Sequence, residues 1–359
     1  DLKEIEPIVA DTFAEADVVM KPHLDRPLTD YIFVDESDQE AIDAATDELK
    51  QTVITQPAVL ATETALSRLM EAYGIVPDMV MGHSLGEYGA LVASGGLRFD
   101  EGLYAVSARG GEMTKASKGD NGLMAAVHGP NEEIKKIIAG VGGYVVVANN
   151  NSTKESVIGG ETKAVEQAMD ALREAGFSAT QLPVSHAFHT KIVGSAAEAL
   201  EVILKKMKLQ PPKIPVIANT SGDYYPMHPN AVPEMVEILA SQVASPVQFV
   251  KGLNTLYDSG ARMFVELGPK RALYGFALDV IGSREGVTTL FTNHPRVGGT
   301  PSFNQALCGL YAAGLGAGRA ETAQDIVSTI TEAVESVSPQ PSPPVAPVSP
   351  PGETITTTP

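Results

Sequence analysis

Ser84 is the residue whose setting says most about chemistry. It stands in Gly82-His83-Ser84-Leu85-Gly86, between the apolar run Asp78-Met-Val-Met81 and a helix-forming run from Glu87 to Ala93. A serine on so sharp a strand-to-helix turn has its hydroxyl lifted clear of the sheet, the arrangement of a nucleophile elbow. Gly82 and Gly86 are expected to remove Cβ atoms that would clash across the bend. The Leu85 amide and the helix N-terminus behind it then face the place where an oxyanion develops. Gly-x-Ser-x-Gly also occurs in ordinary glycine-rich turns, so the pentapeptide alone leaves both readings open.

A serine hydroxyl needs a base to attack at neutral pH. Seven histidines are present: His23, His83, His128, His186, His189, His228 and His294. His186 and His189 flank Ala-Phe in Pro183-Val-Ser-His-Ala-Phe-His-Thr190, just after a strand-like run. A lone loop histidine is usually structural or solvated; a pair at such a junction is less ordinary. Arg109 follows Ser84 by 25 residues. Its neighbours Ala105, Val106 and Ala108 suggest a buried helix face. An unpaired guanidinium there would be costly, and a substrate carboxylate, accepted bidentately, would resolve that cost. Met113, one turn on, shares the same face.

The elements that must hold these residues follow from periodicity. The first 75 residues read as helices joined by loops. Between Thr55 and Gly74, Val59, Leu66, Leu69, Met70 and Tyr73 recur at helical spacing. Asp78 to Met81 is a short buried strand, and the αβα alternation favours a parallel sheet covered by helices. From Leu123 the pattern becomes βαββαβ. The strands are Leu123 to Val127, Tyr144 to Ala148, Ser156 to Ile158 and Phe177 to Val184, with helices Glu132 to Ala139 and Thr162 to Ala175. Asn149 to Ser152 reads as a turn between the middle strands. Ile214 to Ala218 and Met263 to Glu266 are further buried strands, so the larger domain resumes after the insert. A proline-rich run within Ser336 to Pro359 cannot build a core and reads as a linker to another module.

Bulk properties bound the rest. A chain of 359 residues, 43% hydrophobic, can bury more than one core. A net charge of −18 argues against nucleic acid as the main partner. Lys205, Lys206, Lys208 and Lys213 are the densest basic group, read as an exposed helix end or a partner contact. The single Cys308 excludes an intramolecular disulfide and fits a reducing cytoplasm. It lies in a helical run, Ser302 to Ala313, where buried packing is expected. No apolar run is long enough to span a bilayer, so no membrane association is expected.

Taken in order, Gly82-His-Ser-Leu-Gly86, Arg109, His186-Ala-Phe-His189 and Phe264-Val-Glu-Leu-Gly-Pro269 resemble the acyltransferase domain of type I polyketide and fatty acid synthases. Free-standing relatives are the malonyl-CoA:acyl-carrier-protein transacylases. The resemblance covers roughly residues 1 to 318. It implies an α/β fold: an α/β-hydrolase-like catalytic subdomain (1–122 and 185–318), an inserted ferredoxin-like subdomain (123–184) and a linker (319–359). It implies Ser84 as nucleophile, His189 as base, the Leu85 amide in the oxyanion hole and Arg109 as the clamp for the free carboxylate. In the family a backbone carbonyl orients the base, and the matching position is Gln242. His83, Met113, His186 and Phe188 are the implied pocket residues. The His-Ala-Phe-His form resembles the malonyl version, since the Phe188 ring would crowd an α-methyl branch; one methyl is worth about 1–3 kcal/mol. Phe188 could equally be ordinary core, and His186 a packed loop histidine.

The implied substrates are malonyl-CoA and a phosphopantetheinyl acyl carrier protein, with neighbouring synthase domains as partners and no bound cofactor or metal. Two departures stand out. Thr190 replaces the usual serine after the histidine. Family members open with a strand and a Gly-Gln-Gly motif that supplies a second oxyanion amide; no Gly-Gln-Gly occurs here, and the expectation is that this segment has been left off the sequence. A serine hydrolase with the same elbow and a non-catalytic docking module are the rival readings. The hydrolase would need a late catalytic histidine, for which His228 and His294 are the candidates.

Overall fold

The computed structural model describes residues 1–35, 37–115 and 119–318. The proline-rich stretch read as a linker lies outside the described residues. Residues 1–75 are helical with loops between, as their periodicity requires. The longest helix, Thr52–Ala72, packs against Pro7–Met20 and Phe99–Lys115. Phe13, Leu60, Leu69, Leu103 and Val106 of these helices are buried in one core, together with Leu91 of helix Gly86–Ala93. Each such side chain contributes about 1.5–3 kcal/mol through removal from water.

Eight strands are present among the described residues: β1 (Val80–Met81), β2 (Leu123–His128), β3 (Val145–Asn150), β4 (Glu155–Gly160), β5 (Ser178–Gln181), β6 (Val216–Ile217), β7 (Met263–Glu266) and β8 (Thr288–Phe291). With helices Asn131–Ile138 and Thr162–Glu174, β2 to β5 follow the βαββαβ order expected. They form one antiparallel sheet, ordered β3-β4-β2-β5. Its inner face (Ala125, Val127, Ile158, Ala179) closes on Ile134, Val165 and Leu172 of the two helices.

The parallel strands are sparser. β1 pairs with β6 and β7 with β8, as two separate sheets. A cavity of about 840 Å³ is lined by residues of both, including Val80, Met81, Val265 and Glu266. Among the described residues β1 and β6 keep two residues each where Asp78 to Met81 and Ile214 to Ala218 were expected, while β7 matches its expected span.

Two expectations are corrected. Asn149 and Asn150 close β3 instead of forming a turn. The Asn150 N–H donates to Val247 O (2.9 Å) and the Val247 N–H to Ala148 O (2.9 Å), so a distant segment prolongs the strand. Cys308 is exposed, because it falls just off the buried stripe Phe303, Ala306, Leu307 and Leu310 of helix Gly299–Ala312. No helix among the described residues is long and apolar enough to cross a membrane.

Candidate active site

The bend at Ser84 is forced by its neighbours. A Cβ on Gly82 would lie 1.9 Å from the Gly86 carbonyl, so that position admits only glycine. Gly86 is different from expectation: a Cβ there would meet Glu63 Oε1 at an ordinary 3.5 Å, and the bend does not depend on it. Ser84 itself sits at φ 52°, a left-handed conformation that is strained for a side-chain-bearing residue. Asn219, just beyond β6, holds the turn. Its Oδ1 accepts from Ser84 N–H (2.6 Å) and its Nδ2 donates to Gly82 O (2.7 Å). The Leu85 N–H has no backbone acceptor among the described residues, and helix Gly86–Ala93 starts immediately after it.

His189 reaches Ser84 from the loop after β5, with φ 59°. Its Nε2 is 2.8 Å from Ser84 Oγ. Its Nδ1 faces two carbonyl oxygens, Gln242 at 3.0 Å and Ser245 at 3.2 Å. Two acceptors fix the proton on Nδ1 and leave Nε2 free to accept from the serine. Burial pushes the imidazole down to about 3, and Arg109 and then His83 push the same way. The ring is therefore neutral at pH 7, as a base must be. Thr190 hydrogen-bonds Ala187 O (2.6 Å) and accepts from Ile192 N–H (3.3 Å), capping the next turn. A serine could make the same two bonds, so this departure is conservative.

Arg109 is buried on helix Phe99–Lys115, 2% exposed. Its Nη1 donates to Gln56 Oε1 (2.9 Å), and its Nη2 to Ser84 Oγ (2.9 Å) and Gln242 Oε1 (3.2 Å). Its Nε has no hydrogen-bond partner among the described residues. Burial lowers its pKa from the usual arginine value. Such a guanidinium, with acceptors only from neutral amides and a hydroxyl, is suited to an incoming carboxylate.

The four pocket residues implied by resemblance separate into two places. Met113 and Phe188 share an apolar cluster with Val193, Leu200 and Val243, and Met113 Sδ is 3.7 Å from Gln56 Nε2. His186 lies tilted against Phe188 at 5.8 Å, bonds Ser185 Oγ through Nδ1 (2.8 Å) and buries an Nε2 with no hydrogen-bond partner among the described residues. His83 turns elsewhere: its Nε2 bonds Asn151 Oδ1 (2.8 Å) and its ring packs on Phe249 and Phe276. The late histidines have other company. His228 lies near Glu234 and His294 near Phe291, both exposed or half-exposed and outside the Ser84 contacts. Lys205 pairs with Glu201 at the surface.

Residues 1–285 match the family model described as "Acyl transferase domain". The chain belongs to this family. The acyl transferase domain is 37% identical over 285 residues to the malonyl CoA-acyl carrier protein transacylase of Bacillus subtilis, covering 78% of this chain and 84% of that one. Among solved structures it resembles the acyltransferase domain from the second module of the salinomycin polyketide synthase (TM-score 0.77, 29% identity, 95% of this chain and 74% of that one). It also resembles a malonyl-transacylase solved in complex with its type II polyketide synthase acyl-carrier protein (TM-score 0.72, 31% identity, 86% of this chain and 94% of that one).

Several residues of this acyl transferase domain escaped the sequence reading. Asn219, Gln56 and Ser245 reach the site only from distant chain segments, and Glu87, three residues beyond Ser84, shows its partners Asn219, Tyr225 and Gln242 only once the chain is folded. Asn151 stood in an asparagine run that could have been noticed for its partner-seeking amides.

Proposed function

We propose that this chain transfers a malonyl group from CoA to the phosphopantetheine thiol of an acyl carrier protein, by way of an ester on Ser84. The observation that carries this reading is the convergence of His189 Nε2 and Arg109 Nη2 on Ser84 Oγ, at 2.8 and 2.9 Å. A serine flanked by a base and a buried guanidinium suits an acyl group that carries its own carboxylate.

In this mechanism His189 takes the Ser84 proton as Oγ attacks the thioester carbonyl. The Leu85 N–H and the helix behind it receive the oxyanion. His189 returns the proton to the departing CoA sulfur. Arg109 gives up its bond to Ser84 Oγ, which has become an ester oxygen, and holds the malonyl carboxylate instead. The carrier thiol then gives its proton to His189 and attacks the ester carbonyl, and the bond to Ser84 breaks as His189 returns the proton to Ser84 Oγ. The Gln242 and Ser245 carbonyls stabilise the imidazolium formed twice in each cycle. Met113, His186 and Phe188 border the acyl pocket, and the Phe188 ring favours malonyl over a branched homologue by the bulk argument above. His83 supports the elbow from behind through Asn151.

Within this reading, residues 1–122 and 185–318 form an α/β-hydrolase-like subdomain around a ferredoxin-like insert at 123–184. The antiparallel order β3-β4-β2-β5 supports the insert. The protein acts with an acyl carrier protein and other synthase components, in the cytoplasm. Incubation with malonyl-CoA and a holo carrier protein, followed by mass analysis of the carrier, tests the function. Malonyl-carrier formed at a rate dependent on Ser84 supports it. Free malonate released without transfer to the carrier would instead mark a hydrolase.

A further inference from the structure

Glu87 takes no part in the steps above, yet it is fully buried directly behind the elbow, at 0% exposure. Its Oε2 accepts from the Gln242 Nε2 amide (2.9 Å) and the Asn219 N–H (3.1 Å), and its Oε1 accepts from Tyr225 OH. Tyr88 and Arg109 are the other ionisable groups that act on it. Burial raises its carboxyl to about 7, against the opposing pull of the Tyr225, Gln242 and Asn219 bonds and the Arg109 charge.

The Gln242 side chain has a donor end and an acceptor end, and only one orientation suits its surroundings. Nε2 donates to Glu87 and to Ser84 O (2.6 Å), which leaves Oε1 for Arg109 Nη2. Turned over, the amide would set NH₂ against a guanidinium and a carbonyl against a carboxylate. The Ser84 carbonyl, which only accepts, and the Glu87 carboxylate together exclude that arrangement.

We propose that Glu87 is a positioning residue for carboxylate recognition: together with the Ser84 carbonyl it sets which end of the Gln242 amide meets Arg109, and so keeps the guanidinium turned to Ser84 and to the acyl group's free carboxylate. The inference rests on the acyl-transfer reading above. It places specificity in a side chain that touches neither substrate nor Ser84 Oγ.

The test compares Glu87→Gln with Glu87→Asp in the full chain, reading kcat and KM for loading of malonyl-CoA and acetyl-CoA. Gln is isosteric but brings its own NH₂, which lets the Gln242 amide reverse. Asp is shorter but remains an acceptor. The expected result is that Glu87→Gln loses about tenfold or more of the malonyl-to-acetyl preference, mainly through KM for malonyl-CoA. Glu87→Asp should retain the preference even where its stability falls. A purely structural role gives the reverse order, with the isosteric Gln tolerated better, and would overturn the inference, as would an equal loss for both donors in Glu87→Gln. If Glu87→Gln does not fold, Glu87→Asp decides alone: a retained preference supports the inference and a lost one overturns it. Wild-type protein that loads no malonyl overturns the acyl-transfer reading together with this one; wild type that loads normally confines any failure to Glu87.

Discussion

The antiparallel sheet β3-β4-β2-β5 carries its own core, whereas β1-β6 and β7-β8 are short pairs dependent on the helices packed around them. Continuous pairing holds the first: β2 is matched residue by residue from Leu123↔Gly160 to His128↔Glu155. The elbow follows the second kind of strand. There the backbone is held by side chains from afar, with Asn219 fastening both Gly82 and Ser84 and Gln242 fastening Ser84 O. Of the three side chains that meet at Ser84 Oγ, Ser84 and His189 have positive φ, and Arg109 comes from a regular helix. Regular pairing yields stability and leaves little freedom for such conformations. The chemistry accordingly sits where regular structure stops and long-range hydrogen bonds take over.

That contrast can be broken from either side. Removing the base in His189→Ala should slow Ser84 loading by about 10²–10⁴-fold while urea unfolding stays near wild type. A large stability loss instead would mean that His189 is a packing residue. In the antiparallel half, Leu172→Ala empties a fully buried site and should cost about 2–5 kcal/mol in urea unfolding. Loading per folded molecule should not change; a matching loss of rate would show that the two regions are not separable. Arg109→Ala should lower the malonyl-to-acetyl preference by about tenfold or more, the worth of hydrogen bonds to a charged group. Unchanged preference in steady-state loading would remove Arg109 from the carboxylate site.

The most gradual effect, spread over several pH units, concerns the cavity lined by the parallel pairs. Glu63, raised from 4.5 to about 8 by burial and then by Glu266, stays protonated in the folded protein through neutral pH. Unfolding between those two values releases its proton, so stability falls as pH rises through that window, by at most about 1.4 kcal/mol per pH unit. Glu63→Gln should flatten the slope in urea midpoints measured from pH 5 to 8. An equal slope in the variant would assign the dependence to other groups.

The same contrast explains what the sequence made legible. The βαββαβ half was readable because apolar alternation and helical stripes such as Val165, Ala168, Met169 and Leu172 are local signals. The elbow was readable because Gly82 admits no Cβ, a constraint written into the pentapeptide. Arg109 stood out because a charge among Ala105, Val106 and Ala108 contradicts its surroundings. Asn219 and Glu87 were not readable, since their roles exist only once residues more than 130 positions apart meet. Asn149 and Asn150 misled for the same reason: turn-forming types became strand when Val247 supplied the missing partner. Cys308 misled by one helical position.

The most direct test of the central claim is the intact mass of the protein after incubation with malonyl-CoA, alongside Ser84→Ala and with acetyl-CoA and methylmalonyl-CoA in parallel. The account requires a single malonyl-sized adduct, absent from Ser84→Ala and strongest with malonyl-CoA. An adduct that persists in Ser84→Ala, or none from any donor, would contradict it.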